Sequence, residues 1–148
     1  MGSGAAIDET STDITLTPGE EVTYCWYFHT KNTSPIVINK WASWCGPCRA
    51  EFGAFQRASV SLGRDVAFLG VDSGDTSRAD AVAFLRSFPV SYPSYYDASG
   101  HAGLALTDST FTPVTVFYGR GGAQFIHQGP YSSAAKLEAD VRRYALAG

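Results

Sequence analysis

Two of the three cysteines stand three residues apart, in Trp44-Cys45-Gly46-Pro47-Cys48. Cysteines at i and i+3 of a helical turn have Cα atoms roughly 5–6 Å apart. A relaxed disulfide spans Cα separations of about 4.4–6.8 Å. Such a pair can close and open without moving the backbone, as a reversible redox centre requires. Gly46 and Pro47 suit the first turn of a helix, where proline gives up no needed N–H. Cys45 then sits at the helix N-terminus, where orphan N–H groups and the positive end of the dipole favour a thiolate. The spacing predicts Cys45 as the more exposed, attacking sulfur and Cys48, a turn deeper, as the resolving one. An inert staple or two buried thiols would not need this turn at a strand–helix junction.

The elements around the pair follow from periodicity. Ile36-Val37-Ile38 reads as a buried strand leading into the cysteine turn. Gly46 to about Val60 suits a helix, with Phe52 and Phe55 inside and Arg49 and Arg57 outside. Val66–Val71 is a continuous apolar run, expected as a central strand, and Asp72-Ser73-Gly74-Asp75 ends it. A helix is predicted over about 77–87, with Ala81, Val82, Phe84 and Leu85 in the core and Pro89 just past its end. Ser94–Tyr96 reads as a short strand, Gly103–Leu106 as a helical turn, and Val114–Tyr118 as a strand. Ala123–Gln128 forms the partner strand after the Gly119–Gly122 turn. Ser132 or Ser133 caps a last helix to about Leu146. Ahead of these, Pro18-Gly19 separates two alternating segments, a hairpin near 13–16 and 21–24. Residues 1–11 read as a tail, and 12–148 as one domain. The alternation of strands and helices predicts an α/β fold with a central mixed sheet covered by helices on both faces.

Composition narrows the function classes. The 148 residues include 45% hydrophobic and 14% aromatic side chains, enough for one globular core. Lys+Arg is 11 and Asp+Glu is 14, a net charge of −3 without a basic stripe. That argues against nucleic-acid binding by phosphate neutralisation and against a polybasic membrane patch. No apolar run approaches the length of a bilayer span. Met1–Ala6 lacks the regions of a signal peptide and reads as a cloning remnant before a trimmed domain, so an anchor or signal is expected to have been removed. The histidines are His29, His101 and His127, and none pairs with the cysteines at ligand spacing, so no metal site is expected.

With these residues in place the chain resembles the thioredoxin superfamily, and within it the extracytoplasmic TlpA/ResA/DsbE-like branch. The matching segments are Trp41-Ala-Ser-Trp-Cys-Gly-Pro-Cys-Arg-Ala-Glu51, Val66-Ala-Phe-Leu-Gly-Val-Asp72, Phe88-Pro-Val-Ser-Tyr-Pro-Ser94, Asp97-Ala-Ser-Gly100 and Thr112-Pro-Val-Thr115. The helix after Asp72 and the Tyr-Pro stretch before Asp97 match the insertion that separates this branch from plain thioredoxins. The resemblance implies a thioredoxin fold and thiol–disulfide exchange outside the cytoplasm. Protein thiols and disulfides would be the substrates, with a membrane thiol–disulfide protein as electron donor or acceptor. No cofactor beyond the Cys45–Cys48 pair is implied. Cys45 would be the nucleophile, Cys48 the resolving thiol, and Pro113 the cis-proline beside the site. Trp44, Gly46, Pro47, Thr112 and Pro113 would meet the substrate. A cis Thr112–Pro113 bond would turn the chain so that an extended peptide could pair with Thr112.

Glu51 stands where this branch has an active-site acid, and Asn39 where plain thioredoxins carry a buried Asp. Proton transfer at Cys48 then falls to Glu51; the alternative is a solvated first-turn acid that merely favours the helix dipole. Lys40 departs from the apolar residue usual at its position. It is expected to snorkel to the surface, the alternative being a charge near the thiolate. Gly53 replaces a proline that kinks the helix in relatives. Cys25, beside Trp26, Tyr27 and Phe28, reads as a small buried hydrophobe rather than a third redox thiol or a partner for another chain.

Three functions compete. A thiol–disulfide oxidoreductase is favoured, and Gly-Pro between the cysteines leans towards a reductase, such as one preparing apocytochrome thiols for haem; an oxidase or isomerase of secreted proteins is the runner-up. A thiol peroxidase would need a threonine upstream of its cysteine in a Pro-rich loop, which Trp41-Ala-Ser-Trp44 does not supply. A non-catalytic binding module would not need the intact cysteine pair.

Overall fold

The structure, a computed structural model, describes residues 35–147. The tail, the hairpin near 13–16 and 21–24, Cys25 with its aromatic neighbours, and His29 lie outside the described residues.

Among the described residues, five strands form one mixed sheet: β1 (Ile36–Trp41), β2 (Ala67–Ser73), β3 (Ser94–Asp97), β4 (Val114–Tyr118) and β5 (Gln124–Gln128). Their order across the sheet is β3-β2-β1-β4-β5. β1, β2 and β3 run parallel, β4 is antiparallel to β1, and β5 to β4. The parallel strands need crossover connections, supplied by α1 (Gly46–Leu62) and α2 (Arg78–Ser87). Right-handed crossovers put both helices on one face. The last helix, α4 (Ala134–Asp140), joins them there, and α3 (His101–Thr107) packs on the other face. This is a thioredoxin fold. α4 continues through Val141–Leu146 as a π-helical segment, so the single predicted helix changes its hydrogen-bonding pattern halfway. Ser133 is its N-cap, its hydroxyl accepting from the Lys136 N–H at 3.2 Å.

β1 is central and fully buried. Val37 and Trp41 contribute to the core under α1 and α2, while Ile36 and Ile38 contribute to the core on the α3 side. The period of two then assigns Asn39 to the α1 face and Lys40 to the α3 face. Trp41, Phe52 and Phe84 form a three-ring cluster with centroids 4.9–5.3 Å apart, tying the end of β1 to the first turns of α1 and to α2.

The Trp41 indole needs room and a partner. Its Nε1–H donates to Ser94 Oγ at 3.2 Å. The space comes from Gly70, where a Cβ would collide with Ser94 Oγ and stand 3.0 Å from Trp41 Nε1. Rotating Ser94 away would strand a buried indole N–H. Gly70→Ala should therefore cost about 1–3 kcal/mol, the usual range for overpacking a core, measurable by urea unfolding.

α3 is longer than the helical turn predicted from its sequence. The Asp97 carboxylate accepts from the N–H groups of Ala102 (3.2 Å) and Gly103 (2.7 Å), which supplies the missing N-terminal partners. At its other end lies Lys40, and here the expectation of snorkelling is overturned. Lys40 is buried, and its ammonium donates to Thr107 Oγ1 at 3.0 Å and to the Ser109 carbonyl. A central strand covered on both faces gives the side chain no path to water. It finds instead the carbonyl end of a helix, where a cation is favoured. Burial pulls its pKa down, partly opposed by Asp97. Its place on the α3 face also sets it on the side of the sheet away from α1 and Glu51.

Candidate functional site

β1 ends at Trp41, the chain turns through Ala42-Ser43-Trp44, and α1 begins after Cys45. Cys45 is the N-cap residue, with its sulfur accepting from the Cys48 N–H at 3.1 Å. Gly46 and Pro47 fill the first helical positions, as their residue types predict. Cys45 and Cys48 are joined by a disulfide with a Cα–Cα distance of 5.2 Å. The exposure difference read from their spacing is small: Cys45 is 3% exposed and Cys48 0%. The surface above them belongs to Trp44, Gly46 and Pro47, all exposed, Trp44 at 65%.

Thr112–Pro113 is a cis peptide bond. The antiparallel pairing of Lys40 with Val114 sets Thr112 and Pro113 beside the end of β1, where the chain enters the cysteine turn. Thr112 is half-buried and Pro113 buried. Phe111, just upstream, is 72% exposed.

Glu51 lies one turn beyond Cys48 on α1 and is wholly buried, which rules out the solvated first-turn acid. Asn39 Nδ2 donates to Glu51 Oε2 at 2.8 Å, and the Tyr131 backbone N–H donates to Oε1 at 3.1 Å. Burial raises the Glu51 pKa to about 7, against the pull of these two hydrogen bonds. Asn39 is thus the orienting partner of the acid rather than an acid itself. Its Oδ1 has no partner, nor has the Oγ1 of Thr115, the residue paired with it on β4.

Tyr131 was not legible from sequence as part of this network, because its contribution is a backbone N–H from a loop 80 residues further on. Its ring stacks on His127, with centroids 4.0 Å apart, and its hydroxyl donates to Asp140 at 2.6 Å. Gly53 is exposed, and α1 runs through it as one helix. His101 is exposed and belongs to neither the cysteine turn nor the Glu51 network. Among the described residues no group of three or more His, Cys, Asp or Glu is arranged to hold a metal ion. No described helix is long and apolar enough to cross a membrane.

Fold and disulfide together define a thioredoxin-fold domain with a Cys-Gly-Pro-Cys disulfide at the start of its first helix. Residues 26–92 match the Thioredoxin family. Among known proteins the chain is similar to the thiol:disulfide interchange protein DsbE of Yersinia pestis, 30% identical over 100 residues. That match takes in 67% of this chain and 51% of the relative, so the chain spans about half the length of the curated relatives it matches. In fold it is similar to a secreted Mycobacterium tuberculosis disulfide oxidoreductase homologous to E. coli DsbE, with a TM-score of 0.66 at 19% identity, over 75% of this chain and 82% of the other. A DsbF homologue from Corynebacterium diphtheriae gives 0.69 at 22% identity, over 93% of this chain and 82% of the other.

Proposed function

We propose that this chain exchanges disulfides with protein cysteines through Cys45 and Cys48, in the reducing direction and outside the cytoplasm. The observation that carries the reading is the Cys45–Cys48 disulfide closed across the first turn of α1, below an exposed Trp44-Gly46-Pro47 surface. In the dithiol form, the Cys45 thiolate attacks one sulfur of a substrate disulfide. A mixed disulfide forms and the first substrate thiolate leaves, taking a proton. Cys48, once deprotonated, attacks Cys45 Sγ and releases the second substrate thiol. Two electrons and two protons have then passed to the substrate, and the domain is left in the disulfide form. Glu51 takes the Cys48 proton in this scheme, its pKa of about 7 suiting it to hold and release one near neutral pH. Trp44, Thr112 and Pro113 would line the substrate, an extended segment alongside the cis-proline loop.

The Gly-Pro pair between the cysteines supports the reductase direction, and preparation of apocytochrome thiols for haem is the role it fits. A membrane thiol–disulfide protein would return the electrons. The similarity to DsbE of Yersinia pestis and to a secreted oxidoreductase supports the extracytoplasmic setting. The reduction potential of the Cys45–Cys48 couple tests the direction. A value near −270 mV, as in thioredoxin, is expected, and one near −120 mV, as in DsbA, would turn the reading to an oxidase of secreted proteins.

A further inference from the structure

Lys40 holds the loop that carries the cis-proline at both of its ends. Its backbone pairs with Val114, the residue after Pro113. Its ammonium donates to the Ser109 carbonyl, at the start of the loop, and to Thr107 Oγ1 at 3.0 Å. The stem reaches that point under α3, where Gly103 leaves room: a Cβ there would stand 2.9 Å from Lys40 Cδ. The Thr107 hydroxyl has one proton to give. It lies 2.7 Å from the Gly103 carbonyl and 3.1 Å from that of Ser109, so the nearer carbonyl takes it and the ammonium is the donor to Ser109. Ser109 passes the constraint on, its hydroxyl accepting from the Phe111 N–H at 3.0 Å. On the far side the Pro113 carbonyl accepts from the Gly129 N–H at 3.0 Å. Between these fixed points stand Phe111, an exposed aromatic ring beside the cysteine site, and half-buried Thr112. An apolar side chain in place of Lys40 would fill the same space without burying a charge. Packing alone therefore does not call for lysine here.

We propose that Lys40 is a positioning residue for substrate binding: its ammonium sets the Ser109–Pro113 loop so that Phe111 meets an apolar side chain next to the substrate cysteine. The inference rests on the proposed exchange with protein cysteines, in which the substrate segment lies alongside Thr112 and Pro113. A loop already set meets an extended peptide without the entropy loss of ordering it, which lowers KM for peptides. A disulfide too small to reach Phe111 gains nothing from the setting. Lys40 lies across the sheet from Glu51, so its effect falls on binding and not on proton transfer at Cys48.

The test uses the dithiol form of the full chain with two oxidised probes, cystine and a disulfide-linked peptide carrying leucine beside each cysteine. Stopped-flow rates against probe concentration give kcat/KM for both, and KM and kcat separately for the peptide. Lys40→Met keeps an unbranched stem and loses the donors. Its ratio of kcat/KM on the peptide to that on cystine should fall by about 3–10-fold, the scale of ordering a side chain or two on binding, with the loss in KM and not in kcat. A variant that had merely lost part of its fold would lose rate on both probes and keep the ratio. Phe111→Ala should lower the ratio similarly, and adding Lys40→Met to it should lower it little further, because Lys40 acts through the loop that bears Phe111. An unchanged ratio for Lys40→Met, or effects that multiply in the double variant, overturns the proposal. Should Lys40→Met not fold, Ser109→Ala, which removes the acceptor of the Phe111 N–H, decides by the same ratio. A parent that reduces neither probe overturns the proposed function and this inference with it, an outcome distinct from exchange that is indifferent to Lys40.

Discussion

Cys48→Ser should turn the domain into a trap that accumulates covalent complexes with its substrates. Cys45 would still attack at the helix N-terminus, where the dipole and free N–H groups stabilise its thiolate. The mixed disulfide would then have no second sulfur to resolve it. In the disulfide form Cys48 sits 5.2 Å from Cys45 between Cα atoms, so resolution needs no backbone movement; a serine hydroxyl there cannot act as the nucleophile that attacks Cys45 Sγ and releases the substrate thiolate. Cys45→Ser, by contrast, should reduce exchange to background and form no adducts. Non-reducing electrophoresis followed by mass spectrometry of the linked peptides checks both outcomes. The adducts should carry the peptide with Cys45, and a parallel Cys25→Ser substitution should leave them unchanged. Adducts on Cys25, or normal turnover by Cys48→Ser, would reverse the assignment of roles.

What the sequence could and could not tell follows from the range of the interactions concerned. The cysteine turn, β1, α1 and β4 depend on residues within a few positions of each other, and periodicity with Gly-Pro punctuation was enough to place them. The burial of Lys40 was not readable in this way. It depends on which face of β1 receives it and on α3 ending nearby, at Thr107 and Ser109. The Glu51 site joins Asn39, 12 residues upstream, to a backbone N–H at Tyr131, and no spacing rule links them. The resemblance singled out Glu51 and Asn39 but not the bond between them. Asp72-Ser73-Gly74-Asp75 has the composition of a solvent turn, and its sequence marks only the end of a strand. In the fold it is packed against the cysteine turn, and both its carboxyls are buried. A hint was present: two acidic residues bracketing Ser-Gly at the end of a strand buried on both faces lie close to that strand's core.

Glu51→Gln should change both the pH dependence of stability and that of exchange. The Glu51 pKa rises from 4.5 to about 7 because burial penalises its charged form more than Asn39 and Tyr131 favour it. The folded pKa lies above the unfolded one, so the contribution of Glu51 to stability is full below about pH 4.5 and is lost as pH rises through 7. At about 1.4 kcal/mol per unit, that loss reaches roughly 3 kcal/mol. Glutamine is neutral throughout and should abolish the decline, leaving the variant more stable than the parent above pH 7. Its amide fits the site. The oxygen can accept from the Tyr131 N–H, and the NH₂ can donate to Asn39 Oδ1 once the Asn39 amide turns over, an oxygen that otherwise lacks a partner. Melting temperatures across pH 4–9 check this part, and an unchanged slope would remove the raised pKa from the account. The chemical part is separate. A carboxyl titrating near 7 can accept the Cys48 proton and return it within one cycle, whereas glutamine can do neither. Resolution of the mixed disulfide, followed by stopped-flow mixing, should therefore slow by about 10²–10⁴-fold, the usual contribution of a positioned acid–base group, and lose its inflection near pH 7. If the rate and its profile stay as they were while the stability curve flattens, Glu51 is a buried acid held by Asn39 and Tyr131 with no part in proton transfer.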